Sequence, residues 1–140
     1  MIYYLVYISA ASYMYSEAEM AQILTISRRN NANKDITGIL LYHEGSILQV
    51  LEGDRQMVTD LFLKIKDDNR HQRIFKMVDG MCEERSFADW SMGFKRVANG
   101  EWNEYEGYIK TNKAALLSLI KEKNIKIDAT VKSFVKQNFS

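Results

Sequence analysis

Residues 2 to 9 show no polar face. Ile2, Tyr4, Val6 and Ile8 fall on one side of an extended chain, and Tyr3, Leu5, Tyr7 and Ser9 on the other. An alternation that is apolar on both sides predicts a strand covered on both faces. The period then becomes helical. Ser16-x-x-Glu19 is a capping box, whose side chains satisfy amides left orphaned at a helix start. Met20, Ile23, Leu24 and Ser27 come next at i, i+3, i+4, i+7 spacing and define one helix face. The Asn-rich stretch from Arg28 to Lys34 favours turns, because Asn bonds its local backbone, and it ends this helix.

Ile36 to Tyr42 predicts a second strand. His43-Glu44-Gly45-Ser46 is a hairpin loop in which Gly45 is free to take a positive φ. Ile47 to Glu52 is the return strand, and Asp54 is a plausible N-cap for a second helix. Val58, Leu61, Phe62 and Ile65 make the apolar face of that helix, which ends in Asp67 to His71. Glu52-Gly53 reads as a turn before it. Arg73 to Cys82 reads as a strand, and Trp90 to Val97 as a last strand.

The order β-α-β-β-α-β-β predicts an α+β, ferredoxin-like sheet with two helices on one face. The first and third strands are apolar on both sides, so the second face needs a cover as well. Residues 98–140 can supply it, with one helix around Ala114, Leu117 and Ile120 and a shorter one around Val131, Phe134 and Val135. The chain therefore divides into a core unit, 1–97, and a helical extension, 98–140, packed on the sheet.

Composition narrows the function. The 140 residues are one domain's length, which leaves little room for a separate catalytic domain. Nineteen Lys and Arg against 18 Asp and Glu give a formal charge of +1, so bulk electrostatics offers nothing to nucleic acid. The single cysteine, Cys82, has no obvious basic partner and reads as a buried structural thiol. The amino terminus lacks the charged flank of a signal peptide, and no run reaches the ~20 apolar residues of a membrane span. A soluble, cytoplasmic protein is expected. His43 and His71 lie in different predicted loops without ligand-spaced companions, so no metal site is expected. There is also no Gly-rich phosphate loop, no G-x-S-x-G and no H-E-x-x-H.

What remains is polar chemistry inside apolar strands. Gln49 sits between Leu48 and Val50. A buried glutamine must satisfy four hydrogen-bonding positions. An edge position facing water would resolve that cost. If Gln49 shares its face with Ile47 and Leu51, a bound polar ligand would do so instead. Tyr7 by itself reads as core, its hydroxyl reaching some partner. Asn30 and Asn31 by themselves read as helix-terminus residues.

Taken together these segments resemble the BLUF family, blue-light sensors using flavin. The residues that carry the resemblance are L-V-Tyr7-I-S, Asn30-Asn31 with Ile36-Thr37-Gly38-Ile39-Leu40-Leu41-Tyr42 after them, and Leu48-Gln49-Val50-Leu51-Glu52-Gly53. Asp68-Asn69-Arg70-His71 and Phe87-x-x-Trp90-Ser91-Met92 come later in family order and spacing.

The resemblance implies a flavin, usually FAD with FMN or riboflavin as options, inserted between the two sheet-bound helices. By position, Tyr7 is the photochemical electron and proton donor. Gln49 is the switching amide between Tyr7 and the flavin's N5 and C4 carbonyl. Asn31 bonds the polar edge of the ring system, with Asn30 its neighbour. Arg70 and His71 lie in a flavin-contacting loop, with Asp68 and Lys64 near it. Trp90 and Met92 lie on the last strand, whose position responds to light. Two departures stand out. Ile47 replaces a common aromatic residue and reshapes one wall of the site. Lys64 replaces a common arginine, keeping the charge and losing bidentate geometry. The resemblance also implies a homo-oligomer and an effector protein in trans, with no nucleic-acid or membrane partner and no enzymatic activity. The competing reading is a light-independent ferredoxin-like interaction module. A small flavin oxidoreductase is a weaker third, since no nicotinamide site is visible.

Overall fold

β1 (Ile2–Ala11) is an inner strand covered on both faces, which is why neither face is polar. The computed structural model describes residues 1–11, 34–43, 45–67, 71–88, 90–91, 94–96, 102–104 and 123–138. β2 (Leu40–His43) and β3 (Ser46–Gly53) form the predicted hairpin, closed by a His43–Ser46 pair with Gly45 at φ 89°. α1 (Arg55–Lys66) comes next, with the Asp54 carboxylate accepting from the Met57 amide at 3.2 Å, so the predicted N-cap is in place. β4 (His71–Cys82) completes a four-stranded antiparallel sheet in the order β2-β3-β1-β4. Each neighbouring pair is antiparallel, so β3 runs between β1 and β2, and β1 between β3 and β4. This is the split arrangement of a ferredoxin-like sheet.

The predicted second strand starts later than its sequence suggests. Thr37 and Glu52 still form a bridge, in the same register as Leu40 opposite Gln49, but the regular ladder begins only at Leu40. Gly38, at φ 149°, lies between the two stretches and interrupts it.

Two apolar layers enclose the sheet. On the front, Tyr3, Leu5, Tyr7, Leu40, Ile47 and Leu51 pack with Val58 and Phe62 of α1. On the back, Tyr4, Val6, Leu41, Leu48 and Val50 pack with Phe87 and with a helix at the C-terminal end, α2 (Ile125–Asn138). Ile127, Val131, Phe134 and Val135 are its buried face. Each such side chain contributes roughly 1.5–3 kcal/mol on burial. The predicted cover for the second face is therefore present, as a helix of 14 residues. The predicted helices around Met20 to Ser27 and Ala114 to Ile120 lie outside the described residues.

The segment Trp90–Val97 departs from expectation. It is not one strand of the main sheet. It forms β5 (Trp90–Ser91) and β6 (Phe94–Arg96), which pair with each other and with β7 (Trp102–Glu104) in a separate three-stranded sheet. The antiparallel pairing of Ser91 with Phe94 requires the chain to reverse between β5 and β6. Strand periodicity runs through such a reversal unchanged, so the alternation alone does not register it. The β6–β7 pairing also crosses the boundary expected at residue 97.

Candidate functional site

Tyr7 on β1 and Gln49 on β3 are direct cross-strand partners. They share the front face with Ile47 and Leu51, so Gln49 is not at a wet edge. Tyr7 is 0% exposed and Gln49 4%. The phenol of Tyr7 donates to Oε1 of Gln49. The ring of Phe62, from α1, sits 5.5 Å from the Tyr7 ring at a 47° tilt. The arrangement is a phenol–amide pair set into an apolar wall under a helix. Burying such a pair is tolerable only when its polar atoms are matched.

The chemistry of the pair is asymmetric. A phenol can lose an electron and then a proton. An amide offers a donor NH2 at one end and an acceptor carbonyl at the other. Turning or tautomerising that amide changes what a neighbouring acceptor receives. An apolar wall carrying one phenol and one amide fits a flat aromatic heterocycle with hydrogen-bonding atoms along one edge.

The other expected residues are spread over several elements. Lys64 is in the last turn of α1 and is exposed, close in sequence to Lys66, whose ammonium lies 5.7 Å from the Phe62 ring centre. His71 opens β4 and pairs by its backbone with Ala11, so it belongs to a strand and not to the preceding loop. Trp90 opens β5 and pairs with Lys95, in the separate sheet. Asn30, Asn31, Asp68, Arg70 and Met92 lie outside the described residues. Among the described residues no group of three or more His, Cys, Asp or Glu could hold a metal ion, and no helix is long and apolar enough to cross a membrane.

Towards the other end of the front face, the Tyr3 hydroxyl donates to Asp79 at 2.6 Å, and the Arg55 guanidinium lies 5.5 Å from the Tyr3 ring centre. Burial, reinforced by the Asp79 carboxylate, pushes the Tyr3 phenol up to about 12.

The back of β3 carries a second polar cluster that sequence reasoning missed. Glu52 is 0% exposed. Its Oε2 accepts from the Ser86 amide at 2.6 Å and its Oε1 from the Phe87 amide at 2.9 Å. The Thr37 hydroxyl donates to Oε1 at 3.2 Å. Arg85 donates to the Thr37 hydroxyl at 2.9 Å, to the Glu52 carbonyl at 3.2 Å and to Asp35 at 3.1 Å. Burial raises the Glu52 carboxyl above its ordinary range, opposed by the two amides, the Thr37 hydroxyl and the Arg85 charge. Burial likewise pushes the Cys82 thiol up, with the Glu52 charge adding to it, so this thiol is not an activated one. The sequence offers only a weak cue for Glu52, which stands beside Gly53 where a charged residue is usually solvated.

Comparison with known proteins agrees with this geometry. Residues 2–93 match the family model described as sensors of blue-light using FAD. The chain is 36% identical over 89 residues to the photoactivated adenylate cyclase subunit beta of Euglena longa, covering 63% of this chain and 10% of that protein. It thus spans about a tenth of the curated relatives it matches. Among solved structures, it is similar to a bacterial light-regulated adenylyl cyclase, with 39% identity, a TM-score of 0.61, and coverage of 66% of this chain and 27% of the other. It is also similar to the dark-state structure of BlrB, a BLUF protein, with 37% identity, a TM-score of 0.60, and coverage of 65% and 69%.

Proposed function

The chain belongs to the BLUF family, the sensors of blue light using FAD, and on that premise we propose that it is a flavin-binding light receptor whose output is a change in protein–protein contact. The observation that carries this reading is the buried Tyr7–Gln49 pair on the front of the sheet. Bound flavin supplies a photo-oxidant. The chain supplies the rest. Tyr7 gives up an electron and then its hydroxyl proton. The proton would pass along the existing hydrogen bond to the Gln49 carbonyl, and the amide would settle with its donor and acceptor ends redistributed. Once charge and proton return, the changed hydrogen bonds persist as the signal. No enzymatic step is assigned to the chain.

The residues proposed to hold the flavin are Asn30, Asn31, Lys64, Asp68, Arg70 and His71, with FAD the leading occupant and FMN or riboflavin the alternatives. Trp90 and Met92 are proposed as relay residues. In this reading 1–97 is the sensor and 98–140 the extension through which the signal leaves. We further propose a homo-oligomer and an effector in trans. Phe75 and Met77 of β4, 65% and 48% exposed, support an apolar contact surface.

The test is one absorption spectrum of flavin-loaded protein before and after blue light. The expected result is a small, reversible red shift of the oxidised flavin bands. A flavin-loaded protein whose spectrum does not move under light sinks the proposal.

A further inference from the structure

We infer that Glu52 is the clasp by which the light-responsive strand holds the 83–88 segment and, through Phe87, helix α2. The inference rests on the photoreceptor reading of Tyr7 and Gln49.

β3 carries two buried polar side chains that point to opposite faces. Gln49 is on the front, opposite Tyr7, and Glu52 is on the back, opposite Tyr4. Three residues of strand separate them, roughly 10 Å at 3.3–3.4 Å per residue. Paired on both edges, β3 is a stiff element, so a shift of its front residue relative to β1 is transmitted along it. On the back, both carboxylate oxygens are occupied by successive amides, those of Ser86 and Phe87. These are charge-assisted bonds from a strand to a segment more than thirty residues away, and among the stronger hydrogen bonds available to a protein. Arg85 ties the same segment to Thr37, Asp35 and the β3 backbone.

The segment held in this way leads outward in two directions. Phe87, 2% exposed, sits in the back layer with Ile127, Val131, Phe134 and Val135 of α2. Three residues beyond it the chain reaches Trp90 and β5. A loop merely in need of anchoring would be served by neutral acceptors at far lower desolvation cost. The buried carboxylate instead makes the attachment strong and dependent on where β3 sits. The Ser86 amide meets Glu52 at 2.6 Å, while among the described residues its buried hydroxyl makes no hydrogen bond. Glu52 touches no reacting atom in this scheme; it is a positioning residue.

The test uses the full flavin-loaded chain and two light-minus-dark readouts, flavin absorption and amide hydrogen exchange of peptides covering 83–88 and 125–138. Wild type is expected to show both the red shift and a light-dependent exchange change. In Glu52→Gln the red shift is expected to remain and the exchange change at both peptides to be lost. Arg85→Met, which leaves the carboxylate in place, is expected to retain the red shift and to reduce the exchange change by an intermediate amount. It also decides the matter if Glu52→Gln does not fold, because an undiminished exchange change in Arg85→Met then overturns the inference. A wild-type-sized exchange change in Glu52→Gln overturns it too, as does a wild type that shifts its spectrum with no change at either peptide. Absence of the red shift from wild type is the separate failure of the photoreceptor reading.

Discussion

The Phe62 ring leans on the Tyr7 ring, 5.5 Å away and tilted by 47°, so α1 fixes the orientation of the phenol that faces Gln49. Phe62 is otherwise an ordinary buried residue of a helix with a basic last turn. Its effect on the site is to confine Tyr7 to one position on the front face.

Truncating this support should loosen the pair. Phe62→Ala is expected to cost about 3–5 kcal/mol of stability, as for other buried aromatic truncations. Phe62→Leu should cost less and still speed dark recovery, because Tyr7 then samples more orientations. Urea unfolding and the decay of the red-shifted spectrum measure the two effects. A recovery rate equal to wild type in Phe62→Leu would show that α1 does not restrain Tyr7.

Removing the phenol hydroxyl separates binding from switching. Tyr7→Phe should keep the fold and the flavin but lose the red shift. It removes the hydrogen bond that Tyr7 donates to the buried Gln49 carbonyl, at a cost of about 0.5–1.5 kcal/mol. Gln49→Leu should lose the shift as well. An intact photocycle in either variant would remove that residue from its assigned role.

Gly80 lies directly opposite Tyr4 on β1, where a Cβ would come within 2.9 Å of the Tyr4 hydroxyl and 3.2 Å of the ring carbon that bears it. Gly80→Ala should therefore destabilise the protein by about 1–3 kcal/mol through overpacking. In a Tyr4→Phe background the nearest clash is gone, so the same change should cost clearly less. Equal costs in the two backgrounds, from a double-mutant cycle of thermal unfolding, would place the strain elsewhere.

Tyr3 gives the pH dependence. Its phenol titrates near 10 in the unfolded chain and is pushed up to about 12 in the fold, by burial and by Asp79. Between those values the unfolded state releases the proton first, so stability falls as pH rises from about 10 through about 12. The loss should amount to about 1–3 kcal/mol. Tyr3→Phe should flatten that part of the curve, read as the denaturant midpoint against pH.

Glu52 titrates with the same sign at the acid end. Its carboxyl is raised in the fold by burial, so it ionises less readily there than in the unfolded chain, and stability falls as pH rises from the ordinary carboxylate range through the raised value. Glu52→Gln has no such proton to release. The stability gap between wild type and Glu52→Gln should therefore change across mildly acidic pH. A constant gap from calorimetric scans would mean that Glu52 titrates as an exposed glutamate does.

Those residues also mark where sequence reading succeeds and stops. β1, the β2–β3 hairpin and α1 were legible because burial writes its period directly into the chain. Gln49 was legible because an amide among Leu48, Val50 and Leu51 contradicts that period. The resemblance then supplied roles for it and for Tyr7 that periodicity cannot give. Glu52 sits at a strand end before a glycine, where a charged residue is usually solvated, so its burial left no local trace. Its partners, the Ser86 and Phe87 amides, are backbone groups that no residue type identifies. The division of Trp90–Val97 into two strands was hidden for a related reason. Alternation records which side a residue faces, and it is silent on which strand, or which sheet, lies alongside.

β4 is the edge of its sheet among the described residues, and its pairing with β1 slips twice, between Val6 and Tyr7 and between Ile8 and Ala10. Near the second slip Arg73 takes a left-handed φ of 51°. An edge bent in this way presents no unbroken row of amides and carbonyls for a foreign strand to copy. The exposed Phe75 and Met77 can then meet a partner by side-chain packing, while open-ended strand addition, the route to fibres, is blocked at the backbone.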